Sequence, residues 1–183
     1  MHIEFEKYNT DVFLKEMMIF LKQYENILYF YTFLSRNQNI TWEYICANLD
    51  KPWDYVELSY NPIITWEIIE ANINKPWDYE ALLYNPNITC DIVQKNINKP
   101  WNYNILSYNH KITWEFVQAN LNIEWNYNAL SYNSNITWNI VQANIDKGWD
   151  YKNLSLNVNI TDEIVQANLD KPWNYKYLSM NNK

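Results

Sequence analysis

The pattern of apolar and polar positions along the chain repeats every 24 residues. Tryptophan recurs at this interval six times, at Trp53, Trp77, Trp101, Trp125, Trp149 and Trp173. A threonine, an asparagine and a leucine keep the same interval, beginning at Thr41, Asn48 and Leu58. A strict period between about 20 and 50 residues is typical of solenoids and other repeat arrays. The pattern therefore predicts six tandem repeats.

The first half of each repeat predicts a short helix. In the segment TWEYICAN, Thr41 is a favourable N-cap, and Glu43 places negative charge in the first turn, where it suits the helix dipole. Asn48 is expected to end this helix in the left-handed conformation, and Leu49 is expected to fold back on it.

The second half, DKPWDYVELSYN, predicts another short helix, each of the two being about eight residues long. Asp50 is expected to cap it, Pro52 to lie in its first turn and Asn61 to end it. The alternation of apolar residues over 64–69 would also fit a strand. Helix pairs are the preferred interpretation, because cap and turn residues bracket both halves.

The predicted fold class is all-α, an α-solenoid of six 24-residue helix-pair repeats with an N-terminal helical cap. The cap covers residues 1–38 and contains a degenerate repeat, since Tyr31–Asn37 matches the later units at the same interval. Its first helix is expected to run from Thr10 to Phe20. The repeats over residues 39–183 are expected to form one continuous domain.

Composition and charge narrow the possible partners. The chain has 14 Lys and Arg against 21 Asp and Glu, a formal net charge of −7, which argues against nucleic acid as a partner. An apolar content of 48% supports a packed core rather than disorder. Gly148 is the only glycine, so the sequence has no glycine-rich loop for a phosphate.

The sequence predicts an intracellular protein that is not secreted. The opening MHIEFEKYNT does not read as a signal peptide, and charged and polar residues interrupt the apolar stretch from Met17 to Leu34, so no membrane span is expected. Cys46 and Cys90 lack metal-ligand spacing and are expected to be reduced thiols. Glycosylation is not expected at the four N-I-T sequons, Asn39, Asn87, Asn135 and Asn159.

The candidate chemistry of the chain does not predict an enzyme, a metal site or a cofactor. His2 and His110 have no ligand-bearing companions at suitable spacing, and no nucleophile, base and acid set can be assembled. The recurrent carboxylates share their columns with asparagine, as at Asp54 and Asn102. Aspartate and asparagine interchange at helix caps but not in acid–base catalysis, so these residues are interpreted as caps.

The repeat phrase NITWEIVQANxDKPWDYxxLSxN is clearest in Ile64–Asn85 and Asn135–Asn157. It resembles the tandem repeats of a large paralogous family in Mimivirus-like giant DNA viruses, over about four fifths of the chain. The resemblance implies a viral repeat protein acting in the infected cell, in the host cytoplasm or viral factory, and it implies no active site. Cys90, which replaces a tryptophan, and Ile123–Glu124, which replaces Lys-Pro, are expected to loosen the third and fourth repeats locally.

The leading functional prediction is a non-enzymatic scaffold for protein–protein interaction, since solenoids present extended surfaces. The alternative is binding of single-stranded RNA, with bases stacked on the Trp and Tyr columns of the KPWDY motif and a lysine stripe beside them. A regulatory subunit or an enzyme with a site between repeats is a third possibility. The low variation of the Trp and Tyr columns favours buried packing, so Trp77 and Trp101 are expected to be almost wholly buried.

Two columns of the second helix vary without a chemical pattern, and both are expected to be exposed. They supply the candidate partner-binding residues Val56, Glu57, Glu80, Asn104, Ile105, Asn128, Lys152, Asn153, Lys176 and Tyr177. Neutral drift on a solvated surface would explain the variation equally well. If the chain is a scaffold, the basic and aromatic group near its C-terminal end is expected to anchor the partner.

Overall fold

A computed structural model describes residue 19 and residues 27–181 of the chain. The predicted N-terminal helix from Thr10 to Phe20 lies outside these residues, except for Ile19, which is helical. Every regular element in the described part is a helix, and it contains no strand. The all-α prediction is therefore confirmed, and residues 64–69 do not form a strand.

From residue 27 onwards the helices follow the repeat. Helix α1 spans Ile27–Arg36 and corresponds to the second helix of the degenerate repeat. The first helices are α2 Trp42–Ala47, α4 Trp66–Ala71, α6 Cys90–Lys95, α8 Trp114–Ala119, α10 Trp138–Ala143 and α12 Asp162–Gln166. The second helices are α3 Tyr55–Tyr60, α5 Tyr79–Leu82, α7 Tyr103–Tyr108, α9 Tyr127–Tyr132, α11 Tyr151–Leu154 and α13 Tyr175–Leu178. The fold is an all-α solenoid of helix pairs, and the paired helices have four to six residues rather than the predicted eight.

The chain divides into two compact units, Met1–Ile88 and Thr89–Lys183. In the first unit α1 packs on α3, and α3 packs on α5. In the second unit α7 packs on α9, and α9 packs on α11. Within each unit, the second helices of successive repeats therefore form a row in direct contact. The division predicted from the sequence, 1–38 and 39–183, stays a prediction.

The first helix of each repeat begins as the sequence predicts. The hydroxyl of Thr41 accepts a hydrogen bond from the backbone N–H of Tyr44 at 3.2 Å. Thr89, Thr113 and Thr161 cap their helices in the same way. Such a cap satisfies a backbone donor that the helix itself leaves without a partner.

The asparagine that ends the first helix is not left-handed, and this prediction is wrong. The φ angle is −128° at Asn72, −122° at Asn96 and −133° at Asn144. The side-chain amide of Asn144 donates to the carbonyl of Ile140 at 2.8 Å, and its own carbonyl accepts the indole N–H of Trp149 at 2.7 Å. The first of these bonds needs the side-chain amide, and it explains the recurrence of asparagine at a turn that does not need positive φ.

The apolar residue after this asparagine does not fold back on the helix, contrary to the prediction. Leu49 is 44% exposed. The same exposure recurs down its column, at Ile73, Leu121, Ile145 and Leu169. The fold-back contact accompanies a left-handed cap, so its absence at Leu49 follows from the φ values at the preceding position.

The second helix begins four residues later than predicted, because its N-cap is Asp54 rather than Asp50. The carboxylate of Asp54 accepts hydrogen bonds from the backbone N–H groups of Val56 and Glu57. Its own N–H donates to Ser35 Oγ of the preceding repeat at 3.1 Å. That contact between repeats fixes the start of the helix.

One asparagine column joins successive repeats. Asn157 is 1% exposed, and its side-chain amide donates to the carbonyls of Ser131 at 3.0 Å and Asn133 at 2.9 Å. It also reaches the carbonyl of Ile136 at 3.2 Å. The same arrangement recurs at Asn61, Asn85, Asn133 and Asn181. These amides satisfy buried backbone carbonyls that no helix pairs, so the column stabilises the stack.

The KPW tryptophans form the core, as predicted. Trp77 is 7% exposed and Trp101 is 4% exposed. In the first unit, the ring centroid of Trp77 lies 5.1 Å from that of Tyr55 and 6.2 Å from that of Trp42. The indoles therefore pack between repeats and are unavailable for stacking on bases.

Candidate protein-binding surface

The described residues show no candidate metal site. They contain no group of three or more His, Cys, Asp or Glu side chains that could hold a metal ion. His110 is exposed in a turn, and His2 lies outside the described residues. Burial raises the pKa of the Cys90 thiol, which donates to the carbonyl of Lys111, so the thiol is a poor nucleophile. In the part of the chain that the structure describes, no helix has the length and apolar character needed to cross a membrane.

The sequon asparagines of the later repeats form hydrogen bonds that join successive repeats. The side-chain amide of Asn87 donates to the carbonyls of Pro62 at 2.6 Å and Ile64 at 3.0 Å. Asn135 and Asn159 make the equivalent contacts in the second unit. A glycan attached to that nitrogen would remove a donor from these bonds, so the motif is explained by packing.

The first variable column is exposed, as predicted. Its members lie in the first turn of each second helix, and all are exposed: Val56, Glu80, Asn104, Asn128, Lys152 and Lys176. Their chemistry ranges from apolar to acidic, amide and basic, while the frame around them stays constant. These positions can therefore differ between repeats without disturbing the fold.

The second variable column is not exposed, contrary to the prediction. Ala81 and Ala129 are buried. The others are half-buried, at Glu57, Ile105, Asn153 and Tyr177. The reason is that this column faces the preceding repeat. The Asn153 side-chain amide, for example, donates to the Asn128 backbone carbonyl at 3.0 Å and to its side-chain oxygen at 2.7 Å.

A column of exposed tyrosines was missed by the sequence reasoning. Tyr60, Tyr84, Tyr108 and Tyr132 are between 44% and 59% exposed. They follow the first variable column by four positions, and therefore lie on the same side of the second helix. Their signal in the sequence is four tyrosines at the repeat interval, in a column distinct from the tyrosine column that begins at Tyr31. We call these tyrosines and the first variable column the second-helix face.

The second-helix face carries different charges in the two units. In the first unit the exposed charge of the variable column is Glu80, and Glu57 of the neighbouring column forms an ion pair with Arg36. In the second unit the exposed charges of the variable column are Lys152 and Lys176. The Lys152 ammonium lies 5.5 Å from the ring centroid of Tyr177, so the predicted anchor residues contact one another.

Comparisons with known proteins gave no match: no family model fits the chain, and neither a curated protein nor a solved structure resembles it closely enough to count. The resemblance to giant-virus repeats therefore stays a prediction from the sequence. Any functional assignment depends on the geometry of the second-helix face.

Proposed function

We propose that the chain is a non-enzymatic repeat scaffold that binds a protein partner through its second-helix face. The observation that carries this proposal is the pair of exposed tyrosines in each unit, beside exposed residues of the variable column. Tyrosine is enriched in the hot spots of protein interfaces, because it contributes a large contact area and a polar hydroxyl. In keeping with the resemblance of its repeats, we also propose that the protein is viral and acts inside the infected cell.

The residues that hold the backbone together are separate from the exposed residues of the second-helix face, and this separation supports the proposal. Asn157 is buried and bonded to backbone carbonyls, whereas Tyr132 and Asn128 on the outer side of α9 are exposed. Side chains that satisfy the backbone cannot vary without loss of stability, while exposed ones can. A solenoid built in this way can change partners by changing one face.

Affinity capture from infected-cell lysate, after RNase treatment, tests the proposal. The variant Tyr60→Ser/Tyr84→Ser is expected to lose partners that the unmodified chain retains. A matched control, Gln118→Ser/Gln142→Ser, changes exposed residues of the first helices and is expected to keep them. Retention of every partner by the tyrosine variant, with loss in the control, would move binding to the first helices.

The Lys152 and Tyr177 pair is a competing anchor for the same partner. The variant Lys152→Glu changes the exposed member of the pair and is expected to leave the free energy of unfolding within about 0.5 kcal/mol of the original value. Its capture profile, set beside that of Tyr60→Ser/Tyr84→Ser, shows which unit holds the partner.

Single-stranded RNA is the second candidate, because exposed tyrosines can also stack on bases. The net charge of −7 opposes it, so no measurable binding to unstructured RNA is expected at physiological salt. Fluorescence anisotropy with oligouridine at low and physiological salt checks this. Micromolar affinity with a steep dependence on salt would replace the scaffold with an RNA-binding function.

A further inference from the structure

Two tyrosines of the first unit form an exposed aromatic pair. The ring centroids of Tyr60 and Tyr84 are 5.8 Å apart, with the ring planes inclined by 36°. Tyr60 is 44% exposed and Tyr84 is 59% exposed. The faces of such rings are electron-rich, and a cation placed over one of them is attracted by its quadrupole.

Three carboxylates lie near Tyr60 of this pair. The pKa of the Tyr60 phenol is raised, first by burial and then by the electrostatic influence of Tyr84, Asp78, Glu80 and Glu57. Burial alone would raise this pKa, but the added influence of Asp78, Glu80 and Glu57 shows that negative charge lies near the phenol. The same field favours a cationic ligand.

The surface already holds one guanidinium from the chain itself. Arg36 occupies, in the degenerate repeat, the position that Tyr60 and Tyr84 occupy in the next two repeats. Its guanidinium donates to the carboxylate of Glu57. The geometry of this face therefore suits an arginine side chain directed at a carboxylate beside the tyrosine row.

The spacing of the aromatic pair fits an extended segment. Alternate residues of an extended chain lie about 6.6 Å apart on one side of the backbone. The rings of Tyr60 and Tyr84 are separated by 5.8 Å. Two arginines at alternate positions can therefore each lie over one ring.

The second unit lacks this combination. Tyr108 and Tyr132 are exposed there too, but the variable column beside them begins with Asn104 and Asn128 and continues with lysines. The second unit is therefore an internal control that keeps the tyrosines and lacks the acidic residues of that column.

We infer that the second-helix face of the first unit binds an extended arginine-rich protein segment, with alternate guanidinium groups over Tyr60 and Tyr84 and against the carboxylates of Glu57, Asp78 and Glu80. This inference depends on the proposed scaffold function and names its class of partner. Arginine is preferred to lysine because its planar group stacks on rings and bonds to carboxylates at the same time.

The test uses the full chain and a short synthetic peptide in which arginine alternates with serine. Fluorescence anisotropy is expected to show micromolar binding. Tyr60→Ser/Tyr84→Ser is expected to weaken it by about tenfold or more. The pair Asp78→Asn/Glu80→Gln is expected to weaken it similarly while keeping the helix cap, because asparagine is a cap in other repeats.

Tyr108→Ser/Tyr132→Ser is the matched control and is expected to leave the affinity unchanged. Equal affinity for all variants, or no binding of the peptide, would overturn the inference. Tighter binding of oligouridine through the same two tyrosines would overturn it in favour of RNA.

The scaffold proposal and this inference fail in different ways. If the peptide does not bind but Tyr60→Ser/Tyr84→Ser still loses the captured protein, the scaffold proposal is retained and only the arginine-rich class of partner is rejected. If that variant keeps every captured protein, the scaffold assignment of this face falls as well.

Discussion

The indole of Trp149 lies edge-on against the phenol ring of Tyr127 in the preceding repeat, with ring centroids 5.1 Å apart and an interplanar angle of 89°. On another side the indole contacts Trp114 at 6.0 Å. Its N–H donates to the carbonyl of Asn144. One tryptophan thus joins both helices of the preceding repeat to the end of the first helix in its own repeat.

Truncation of this indole is expected to be severely destabilising. Trp149→Ala should lower the free energy of unfolding by about 3–5 kcal/mol, because it leaves a cavity between repeats. Trp101→Ala should have a similar effect. Chemical denaturation measures both, with exposed Tyr132→Ala as the control, for which a change of about 0.5 kcal/mol is expected. A tryptophan variant as stable as the control would contradict the packing described for the core.

The asparagine column predicts a second stability effect. Asn157→Ala removes the donor for the carbonyls of Ser131 and Asn133. The buried carbonyl of Ser131 loses this donor, whereas that of Asn133 still accepts from the N–H of Ile136, so the loss of stability should be about 1–3 kcal/mol. Asn139→Ala, at an exposed position of α10, is the matched control and should change stability by no more than about 0.5 kcal/mol. Equal denaturation midpoints for the two variants would show that water replaces the asparagine without cost.

The geometry of the turn at Asn144 predicts whether glycine there raises or lowers the free energy of unfolding. Asn144→Gly removes the hydrogen bond to Ile140 and adds backbone freedom, so it should destabilise by about 1–2 kcal/mol. A left-handed residue would instead tolerate glycine. Gly148→Ala is the opposite control, because a Cβ at Gly148 meets nothing within 4 Å and should be neutral or slightly stabilising. Thermal unfolding of the two variants checks both signs.

Half-buried tyrosines predict a loss of stability in alkaline solution. Burial raises the pKa of Tyr55, Tyr79 and Tyr127 above the ordinary value of 10.0. A phenol whose pKa is higher in the folded state stabilises the fold below its unfolded pKa, and this contribution is lost as the pH rises through the folded value. Denaturation at a series of pH values should show stability falling above about pH 10. The fall should be smaller in Tyr127→Phe, and an unchanged fall would assign it to other groups.

The repeat pattern predicts most of the architecture, because each structural position recurs with the same residue type. Thr41, a favourable N-cap, predicts where the first helix begins, and the invariant tryptophans predict the core. Sequence alone did not locate the start of the second helix, since Asp50 followed by Lys and Pro looks as favourable a cap as Asp54. Only the bond from Asp54 N–H to Ser35 Oγ, across repeats, decides between them.

The candidate surface was predicted in part for a similar reason. Exposure of the column that begins at Val56 follows from its variability, and the structure confirms it. The next column, with Glu57, varies because its members adapt to different neighbours in the preceding repeat, as the Arg36 ion pair shows. Tyr60 and Tyr84 belong to a column that is tyrosine in four successive repeats, and low variation of this kind does not tell a buried residue from one in a binding surface.

The most direct test of the scaffold assignment is amide hydrogen exchange of the full chain with and without its captured protein. Binding through the second-helix face predicts slower exchange in the second helices, such as α3 and α5, and unchanged exchange in the first helices, such as α2 and α4. Protection confined to the first helices and to the exposed turn at Leu49 would contradict the account and place the partner on the other side of the repeats.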